Sequence, residues 1–587
     1  MLRIRAARTA EAAALTELVL RSKAHWGYDA AFLAACAADL RIRPEDIAHR
    51  RVAVAEDADG TVLGVASLED GPDGAVLGLL FVEPDAMGRG VGRELYRNAV
   101  RRARELGSPR LVIDADPQAA GFYRAMGAVR TGQPAPEGLV RFSVELPPPA
   151  PWVAAWTGGR PAVHLGNVAE FNAQFRDASL DRLQGPAHHY ASLAAFYSPQ
   201  PAALVLPRPA PAGWLELLTR QLGWEPVELY DGVAGSGPGL SAAVLARPSL
   251  AGRLHALGLP LIPWGQTEAF GRLSGRPLPA DALRYESKAA SHRLFRRLAG
   301  TGRHPGIVVP DQAYAGTRRA AARLLADRAR AGRTTVLKSE HGVGGSGTTV
   351  VTAREVREAG GARAVLRRLP RGPLLVEEYV GGGAGAGAVR DLTYDGFVDG
   401  SGRVWEAGAA VMEVAGTGYA GATVGPGVVP GAAEGPLLGF GRAVGAELAD
   451  SGYRGWFDVD FVLDARGRPA PTETNLRLTG PSIAFMVAAR LDEVRGGRHV
   501  VRMVDRVELG ARLPGPALTE FLQHLSRSCT AFDAVFLPAI PTAAFDPAPF
   551  LGVLLGAHSV AAVDAAESLV REEARRLGEM FHPADSA

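Results

Sequence analysis

The sequence predicts an α/β protein, with α+β elements, that is built from several domains. At 587 residues the chain exceeds what one hydrophobic core organises, and a length prior suggests roughly three to four domains. Short apolar runs alternate with segments of helical spacing along most of the chain. Two glycine-rich loops, residues 87–92 and 342–347, each follow an apolar strand. These loops mark the first candidate binding sites.

Composition describes a globular protein without a dominant charge. Hydrophobic residues make up 47% of the chain, and 64 Lys and Arg face 62 Asp and Glu, a balance that predicts neither a nucleic-acid nor a membrane partner. The two cysteines, Cys36 and Cys529, offer no disulfide framework and no metal-ligand spacing, which fits a reducing compartment. Glu11 and Glu17 interrupt the first apolar run, so no signal peptide is predicted and a cytoplasmic location is expected.

The first predicted domain covers residues 1–147 and centres on one strand–loop–helix segment. The strand ends at Phe81 and Val82, glycines follow at 88, 90 and 92, and a helix comes next. A helix N-terminus lined by glycine offers free N–H groups and the positive end of the helix dipole, which suits a pyrophosphate. The predicted strands are residues 1–5, 51–55, 61–68, 75–82 and 111–113, with a helix over 11–21.

This region resembles the GNAT family of N-acetyltransferases. Met87–Gly92 is similar to the family's R/Q-x-x-G-x-G/A loop for the acetyl-CoA pyrophosphate, with Met87 in place of the usual Gln or Arg. Ala120–Ala128 resembles the family's closing helix, whose tyrosine, here Tyr123, often protonates the departing CoA thiolate. The resemblance implies that acetyl-CoA is contacted by Phe81, Val82, Met87, Gly88, Arg89, Gly90, Val91, Gly92 and Arg93.

The sequence leaves the general base of such an acetyl transfer open. The attacking amine must lose a proton, so a carboxylate, or a water relayed from one, is expected. The candidates are Glu83, Glu69, Asp70 and His25, and each is also compatible with an ordinary surface position.

The second predicted domain, residues 148–283, begins at a stiff linker, Pro147–Trp152. Strands at 202–206 and 226–230 flank a helix at 214–222, and apolar runs at 242–246, 250–257 and 259–262 continue this rhythm. The pattern predicts a small open α/β layer.

The third predicted domain, residues 284–513, contains the second glycine loop. Helices are predicted from Lys288 and from Thr317, with a short strand at 306–309 between them. Lys338 ends a strand, and a loop rich in glycine follows. Bare backbone N–H groups can fold over a polyphosphate, and a lysine can neutralise its charge. The later strand Leu374–Val380 can present its backbone to an adenine edge.

A hairpin about 120 residues after the loop supplies candidate metal ligands. Asp460 lies on its first strand, and the returning strand carries Glu473, Asn475 and Arg477. Residues two apart in a strand point the same way, so the last three are predicted to share one face. Two carboxylates and an amide oxygen suit Mg²⁺, and Arg477 would stabilise a transferring phosphoryl group.

The order of these features resembles the ATP-grasp superfamily, closest to peptide ligases with a pre-ATP-grasp domain. The resemblance implies two Mg²⁺ ions at Asp460, Glu473 and Asn475, with Arg477 as a catalytic residue. It implies ATP contacts by Lys288, Lys338, Gly344, Gly345, Ser346, Gly347, Glu377, Glu378, Tyr379 and Val380. The tail, residues 514–587, is predicted to be a small helical subdomain without assigned chemistry.

Together the two resemblances predict a bifunctional biosynthetic enzyme. One part would be an ATP-dependent carboxylate–amine ligase acting on amino acids or peptides through an acylphosphate, and the other an acetyl-CoA-dependent N-acetyltransferase; a homodimer is compatible with this. One alternative is an inactive, acetyl-CoA-sensing GNAT module on an active ligase. Another is a kinase-type enzyme that stops at phosphorylation. An acyl-CoA synthetase fused to an acetyltransferase is disfavoured, because neither CoA-ligase domains nor a phosphorylated histidine is evident.

Overall fold

The computed structural model describes residues 2–136, 138–175, 177–180, 184–233, 239–369, 371–381, 389–546 and 548–581, with the backbone alone at 184–186. The chain divides into two compact units: residues 1–149 with 490–499, and residues 150–489 with 500–587. Both contain helices and sheets, so the predicted α/β class is confirmed. The boundaries at 147, 283 and 513 stay predictions.

The first unit is built on a seven-stranded sheet of order β1-β2-β3-β4-β5-β7-β6. Its elements are β1 (Arg3–Ala6), α1 (Ala12–Ala24), α2 (Ala30–Cys36), α3 (Asp46–His49), β2 (Ala53–Glu56), β3 (Val62–Gly71), β4 (Gly74–Val82), α4 (Val91–Glu105), β5 (Arg110–Ala115), α5 (Ala120–Ala125), β6 (Val129–Arg130) and β7 (Val140–Glu145). The ladder between β4 and β5 is parallel and covers only Ala75–Leu77 opposite Leu111–Ile113. Because β4 continues to Val82, the carboxyl end of β4 extends past this ladder.

Helix α4 starts where glycine permits a left-handed turn. Gly90, the residue before its first turn, has φ 89°, a conformation that favours glycine. Leu95, Ala99 and Ala103 follow at spacings of four and are buried, so one face of the helix packs on β3 and β4.

The second unit begins with a parallel sheet of order β10-β9-β8-β11. Its region contains α6 (Pro151–Thr157), β8 (Ala162–Leu165), α7 (Val168–Ala173), α8 (Gln184–Tyr190), β9 (Pro201–Val205), α9 (Trp214–Leu222), β10 (Glu228–Tyr230), α10 (Leu240–Leu245), α11 (Pro248–Ala256), β11 (Leu261–Pro263) and α12 (Glu268–Ser274). Part of the predicted linker is therefore helical: Pro151 opens α6, where its missing N–H costs nothing. Trp152 on this helix is buried with its ring 5.7 Å from that of Trp456.

A four-stranded antiparallel sheet of order β12-β15-β13-β14 follows. Its region contains α13 (Lys288–Ala299), β12 (Gln312–Ala315), α14 (Arg318–Arg330), β13 (Thr335–Lys338), β14 (Thr348–Val351), α15 (Ala353–Glu358), α16 (Ala362–Arg367) and β15 (Leu374–Glu378). The strand predicted at 306–309 was wrong, because this segment is irregular. Pro305 and Pro310 flank it and cannot donate to a ladder.

The largest sheet has eight strands in the order β20-β19-β16-β17-β18-β21-β23-β22. Its region contains β16 (Asp391–Val398), β17 (Val404–Ala415), β18 (Gly418–Val424), α17 (Gly431–Asp450), β19 (Gly455–Leu463), β20 (Pro469–Asn475), α18 (Gly480–Arg495), β21 (Val500–Glu508), α19 (Gly515–Cys529), β22 (Val535–Ile540), β23 (Phe550–Ala557) and α20 (Val560–Phe581). Leu437, Phe440, Val444 and Leu448 form the buried stripe of α17, and burial of each such side chain stabilises the fold by about 1.5–3 kcal/mol.

The tail is not the helical subdomain predicted from the sequence. β22 and β23 complete the eight-stranded sheet, and every residue of both is buried. Pro538 lies within β22, but β22 is the edge strand, where a missing N–H donor is tolerated.

Among the described residues, no helix has both the length and the apolar character needed to cross a membrane.

Candidate functional sites

A cavity of about 760 Å³ lies in the second unit. Its wall draws on the parallel layer, the four-stranded sheet and the eight-stranded sheet, and so joins residues far apart in sequence. The predicted site residues that line it are Lys338, Gly344, Gly345, Glu377, Glu378, Tyr379, Val380, Asp460, Glu473, Asn475 and Arg477. The remaining three, Lys288, Ser346 and Gly347, lie next to this wall without forming it.

One wall carries a buried ion pair. Lys338 Nζ donates to Glu377 Oε1 at 2.8 Å, and the side chains are 8% and 4% exposed. Gln312 Nε2 donates to the other Glu377 oxygen at 2.7 Å. Burial lowers the pKa of Lys338, but Glu377 and Glu473 outweigh burial and raise that pKa above its ordinary value. Lys338 is therefore a fixed positive charge in the cavity wall.

The glycine loop is held against two other segments. Ser346 Oγ donates to the Ser179 carbonyl at 2.6 Å, and His341 N donates to Asp177 Oδ2 at 2.9 Å. On the other side, Tyr419 N donates to the Gly344 carbonyl at 3.3 Å. The loop thus closes over one side of the cavity.

Gly345 is required by this arrangement. It has φ +82°, and a Cβ there would lie 1.7 Å from the Thr417 carbonyl oxygen. Only glycine accepts both the left-handed backbone and the close approach.

The end of β15 and the segment after it form another part of the cavity wall. Arg390 Nη2 donates to the Val380 carbonyl at 3.0 Å, and its guanidinium lies 5.0 Å from the centre of the Tyr379 ring. Glu378 N donates to the Asp311 carbonyl at 2.7 Å. These contacts fix a backbone segment beside the cavity.

The acidic hairpin β19–β20 forms the floor. Asp460 pairs with Glu473 across the ladder, and Asp458 pairs with Asn475. Asn475 Nδ2 donates to Asp458 Oδ1 at 2.7 Å and to Asp460 Oδ2 at 3.1 Å. The predicted partners Asp460, Glu473 and Asn475 are therefore adjacent in the fold.

Two cations border this floor. Lys288 Nζ forms an ion pair with Glu473 Oε2 and donates to the Gly342 carbonyl at 2.6 Å. Arg477 lies beyond the last residue of β20, in an isolated bridge to Gly265, so its position does not follow from strand alternation. Arg477 Nε is 3.6 Å from Glu286 Oε1.

The floor contains more acidic side chains than the sequence indicated. Asp395 pairs with Asp458 between β16 and β19, and both are almost fully buried. Burial and mutual repulsion raise the pKa of Asp458, and burial, Asp458 and Glu473 raise that of Asp460. Burial also raises the pKa of Glu473, but Lys288 and Lys338 outweigh it and lower the value.

The described residues include no group of three or more His, Cys, Asp or Glu side chains with metal-site spacing. The donor set nevertheless fits a hard cation in its chemistry. Asp460 Oδ1 is buried without a hydrogen-bond partner among the described residues, and Glu473 and Asn475 lie beside it. A divalent cation would relieve the repulsion among these acids.

In the first unit, the predicted acetyl-CoA residues form one continuous segment. Phe81 and Val82 end β4, Met87–Gly90 form the turn, and Val91, Gly92 and Arg93 begin α4. Gly88 has φ 75°. The first N–H groups of α4 have no partner within the helix, which creates a positive backbone site.

Tyr123 lies on α5 and is only 6% exposed. Its ring packs on those of Phe122 and Phe142, at centroid distances of 5.2 and 6.1 Å. Burial raises the pKa of Tyr123 well above its ordinary value. The hydroxyl therefore keeps its proton at neutral pH.

Three of the four candidate bases of the first unit form ion pairs. Glu83 pairs with Arg21 at 2.5 Å, Glu69 with Arg50 at 2.7 Å and Asp70 with Arg51 at 2.9 Å. The ring of His25 contacts Trp26 at 5.9 Å.

Residues 20–128 match the acetyltransferase (GNAT) family model. The predicted resemblance is confirmed for this stretch, which is called the GNAT region below. Among proteins with curated functions, none matches the chain.

Solved structures similar to the chain fall into two groups. The PaiA N-acetyltransferase from Thermoplasma acidophilum, solved with coenzyme A, has 17% identity and a TM-score of 0.23 over 25% of this chain and 99% of that one. The N5-carboxyaminoimidazole ribonucleotide synthetase from Thermus thermophilus has 16% identity and a TM-score of 0.41 over 71% and 98%. The biotin carboxylase domain of the Hydrogenobacter thermophilus 2-oxoglutarate carboxylase was solved with MgADP and bicarbonate. It has 16% identity and a TM-score of 0.38, over 58% of this chain and 79% of that one.

Sequence reasoning missed several cavity residues outside the GNAT region. Asp458 is two residues before Asp460, so strand alternation could have identified it as a neighbour on the same face. Asp505 and Tyr190 carry no local signal, because only long-range contacts bring them to the cavity.

Proposed function

We propose that the second unit is an ATP-grasp carboxylate–amine ligase and that the first unit is an acetyl-CoA-dependent N-acetyltransferase. One observation carries the ligase proposal. A single cavity unites a buried lysine–glutamate pair, a closed glycine loop, a fixed backbone segment and an acidic hairpin with a buried arginine. A purely structural cavity would not need buried charges of both signs at this cost in desolvation.

Each wall has a role in this proposal. The backbone after β15, at Tyr379 and Val380, would bind the adenine edge, and Lys338 would hold a phosphate oxygen. The loop at Gly344 and Gly345 would cover the phosphates with backbone N–H groups. Lys288 would lie at the junction of loop and hairpin, since it already contacts both.

Asp460, Glu473 and Asn475 would hold Mg²⁺, which supplies charge neutralisation and orientation of the phosphates when bound. Asp458 would orient Asn475 through the hydrogen bond that the two share. We propose two ions, as the resemblance implies, because the carboxylates of Asp458 and Asp395 lie next to these residues in the sheet.

Arg477 would bind the substrate carboxylate. It would also stabilise the charge that develops as a carboxylate oxygen of the substrate attacks the γ-phosphorus of ATP. The P–O bond to ADP then breaks, leaving an acylphosphate. An amine attacks the acyl carbon, loses a proton and expels phosphate, giving an amide. Amino acids or peptides are the proposed substrates, consistent with a biosynthetic role.

In the GNAT region, the start of α4 would bind the CoA pyrophosphate. The amine would attack the thioester, and Tyr123 would give its proton to the departing thiolate. A second candidate function is an acetyl-CoA sensor without transfer activity. The ion pairing of Glu83, Glu69 and Asp70 favours this alternative, since none is a free base.

The central experiment is a product analysis with the full chain. The protein is incubated with ATP, Mg²⁺, acetyl-CoA and an amino-acid library, and new masses and released ADP are recorded. The expected products are an amide and an N-acetylated amine. ADP release accompanied only by a phosphorylated product would instead identify a kinase, and the absence of any ADP release would contradict the ligase proposal.

Gly345→Ala is expected to weaken MgADP binding by about 5- to 30-fold, because a left-handed alanine costs roughly 1–2 kcal/mol and its Cβ would displace the loop from Thr417. Isothermal titration measures this. Gly360→Ala is a matched control, since Gly360 has φ +81° but open space around its Cβ position. Equal affinities for the two variants would contradict the proposed loop role.

Tyr123→Phe is expected to lower acetyl transfer by about 10²- to 10⁴-fold, the usual contribution of a general acid. Acetyl-CoA binding should persist, because the ring packing is kept. Thiol release from acetyl-CoA measures the first quantity, and titration calorimetry measures the second. If the unmodified protein binds acetyl-CoA but transfers no acetyl group, the result would instead favour the sensor.

A further inference from the structure

Asp505 is a buried acid in the cavity that the proposed ligase mechanism does not use. It lies on β21, lines the cavity and is 8% exposed. Tyr190 donates its hydroxyl to Asp505 Oδ2 at 2.8 Å. Oδ1 has no hydrogen-bond partner among the described residues. A buried carboxylate oxygen without a partner is costly, which indicates a missing ligand group.

No cation of the described residues compensates this acid directly. The neighbouring Arg506 forms an ion pair with Glu508, and its guanidinium lies 4.1 Å from the centre of the Phe550 ring. Burial, opposed by Tyr190 and Arg506, raises the pKa of Asp505 to about 6. Asp505 is still mainly ionised at neutral pH, so the pocket holds a negative charge that lacks a counterion.

A second unpartnered group lines the same part of the cavity. The hydroxyl of Tyr419 is buried without a hydrogen-bond partner in the described residues. It lies against Gly480, where an added Cβ would be 1.8 Å from the hydroxyl oxygen. Gly480 is only three residues after Arg477. Tyr419 is also close enough to Asp505 that the charge of this acid contributes to raising the pKa of the tyrosine.

We propose that Asp505, with Tyr190 and Tyr419, forms a subsite for a protonated amine of the substrate whose carboxylate is activated. The inference rests on the proposed ligase function and assigns the residues that would recognise the ammonium group of its amino-acid or peptide substrate. Arg477 takes the carboxylate, and the ammonium group donates to Asp505 Oδ1. The bound amine is charged and does not react, so the nucleophile is a second molecule.

The test compares probes that differ only in the amine. Binding of L-alanine and propionate, and of L-lysine and L-norleucine, is measured by titration calorimetry in the presence of MgADP. The first pair reports an α-ammonium and the second a side-chain ammonium. In the unmodified protein, either L-alanine should bind at least about tenfold more tightly than propionate, or L-lysine at least about tenfold more tightly than L-norleucine. This is the effect of a hydrogen bond to a charged group.

Asp505→Asn should abolish that preference and leave MgADP affinity unchanged. Asp450→Asn is the matched control, because Asp450 is exposed at the end of α17 and lies outside the cavity wall. Tyr190→Phe should reduce the preference by a smaller factor and serves as a second variant if Asp505→Asn fails to fold. Equal binding within both pairs, no binding of any probe, or an unchanged preference in Asp505→Asn overturns the subsite. Failure of MgADP itself to bind overturns the ligase proposal instead.

Discussion

Glu473→Gln is expected to lower ATP turnover by about 10²- to 10³-fold, the range found when one electrostatic group is removed from a transition-state site. The variant removes one carboxylate charge from the hairpin and leaves Lys288 without its anionic partner. Lys288 keeps its hydrogen bond to the Gly342 carbonyl, so the fold should persist. ADP release in the presence of the productive amino acid measures the effect.

A binding measurement separates the metal from the fold in this variant. In the unmodified protein, Mg²⁺ should tighten ADP binding, and in Glu473→Gln this gain should be lost while metal-free ADP binds as before. Glu447→Gln is a suitable control, because Glu447 pairs with Arg297 on the exposed side of α17. Turnover within about threefold of the unmodified protein, against the range expected from transition-state electrostatics, would contradict a role for Glu473 in the reaction.

Lys338→Met is expected to lower the free energy of unfolding of the second unit by about 3–5 kcal/mol, because it leaves a buried carboxylate unpaired. Glu377 is 3% exposed and would keep only its hydrogen bond from Gln312. Urea unfolding followed by tryptophan fluorescence measures the change, since seven of the eight tryptophans lie at or beyond residue 152.

The double variant Lys338→Met with Glu377→Met should recover most of this stability, because a buried ion pair can often be replaced by apolar side chains at little cost. Nucleotide affinity should remain low, since the phosphate-binding charge is gone. Arg354→Met is a control for an exposed pair: Arg354 and Glu358 are 79% and 57% exposed, so a loss below about 1 kcal/mol is expected. A loss in Lys338→Met no larger than in this control would refute the structural role of the buried pair.

The parts of the candidate site that the sequence predicted are those set by local geometry. Alternation placed Glu473 and Asn475 on one face of a strand, and β20 contains both. Alternation failed at Arg477, because β20 ends at Asn475 and the chain then follows a bridge to Gly265. The role of these residues remains a prediction, although the structure brings them to one cavity.

Long-range pairing explains what the sequence did not reveal. Asp395 reaches the acidic floor only through the register of β16 with β19, and no spacing in the sequence records that register. The strand β8 was also missed, because a four-residue buried strand has no periodicity to detect. In β8, both ring nitrogens of His164 are hydrogen-bonded: Nδ1 is 2.7 Å from the Ala194 carbonyl oxygen, and Nε2 is 2.8 Å from Ser198 Oγ.

The order of strands in the eight-stranded sheet has a consequence for how the chain folds during translation. The acidic hairpin is at one edge of this sheet, and β22 and β23, which come after its other strands in sequence, are at the other edge. The hairpin and its neighbours β16–β18 can pair while the chain is still being translated, but the sheet is complete only after residue 557 has left the ribosome. The GNAT region is made before these strands, although the compact unit that contains it also includes residues 490–499. Until then the apolar strand β21 exposes an unpaired edge, which makes nascent chains of this length targets for chaperones.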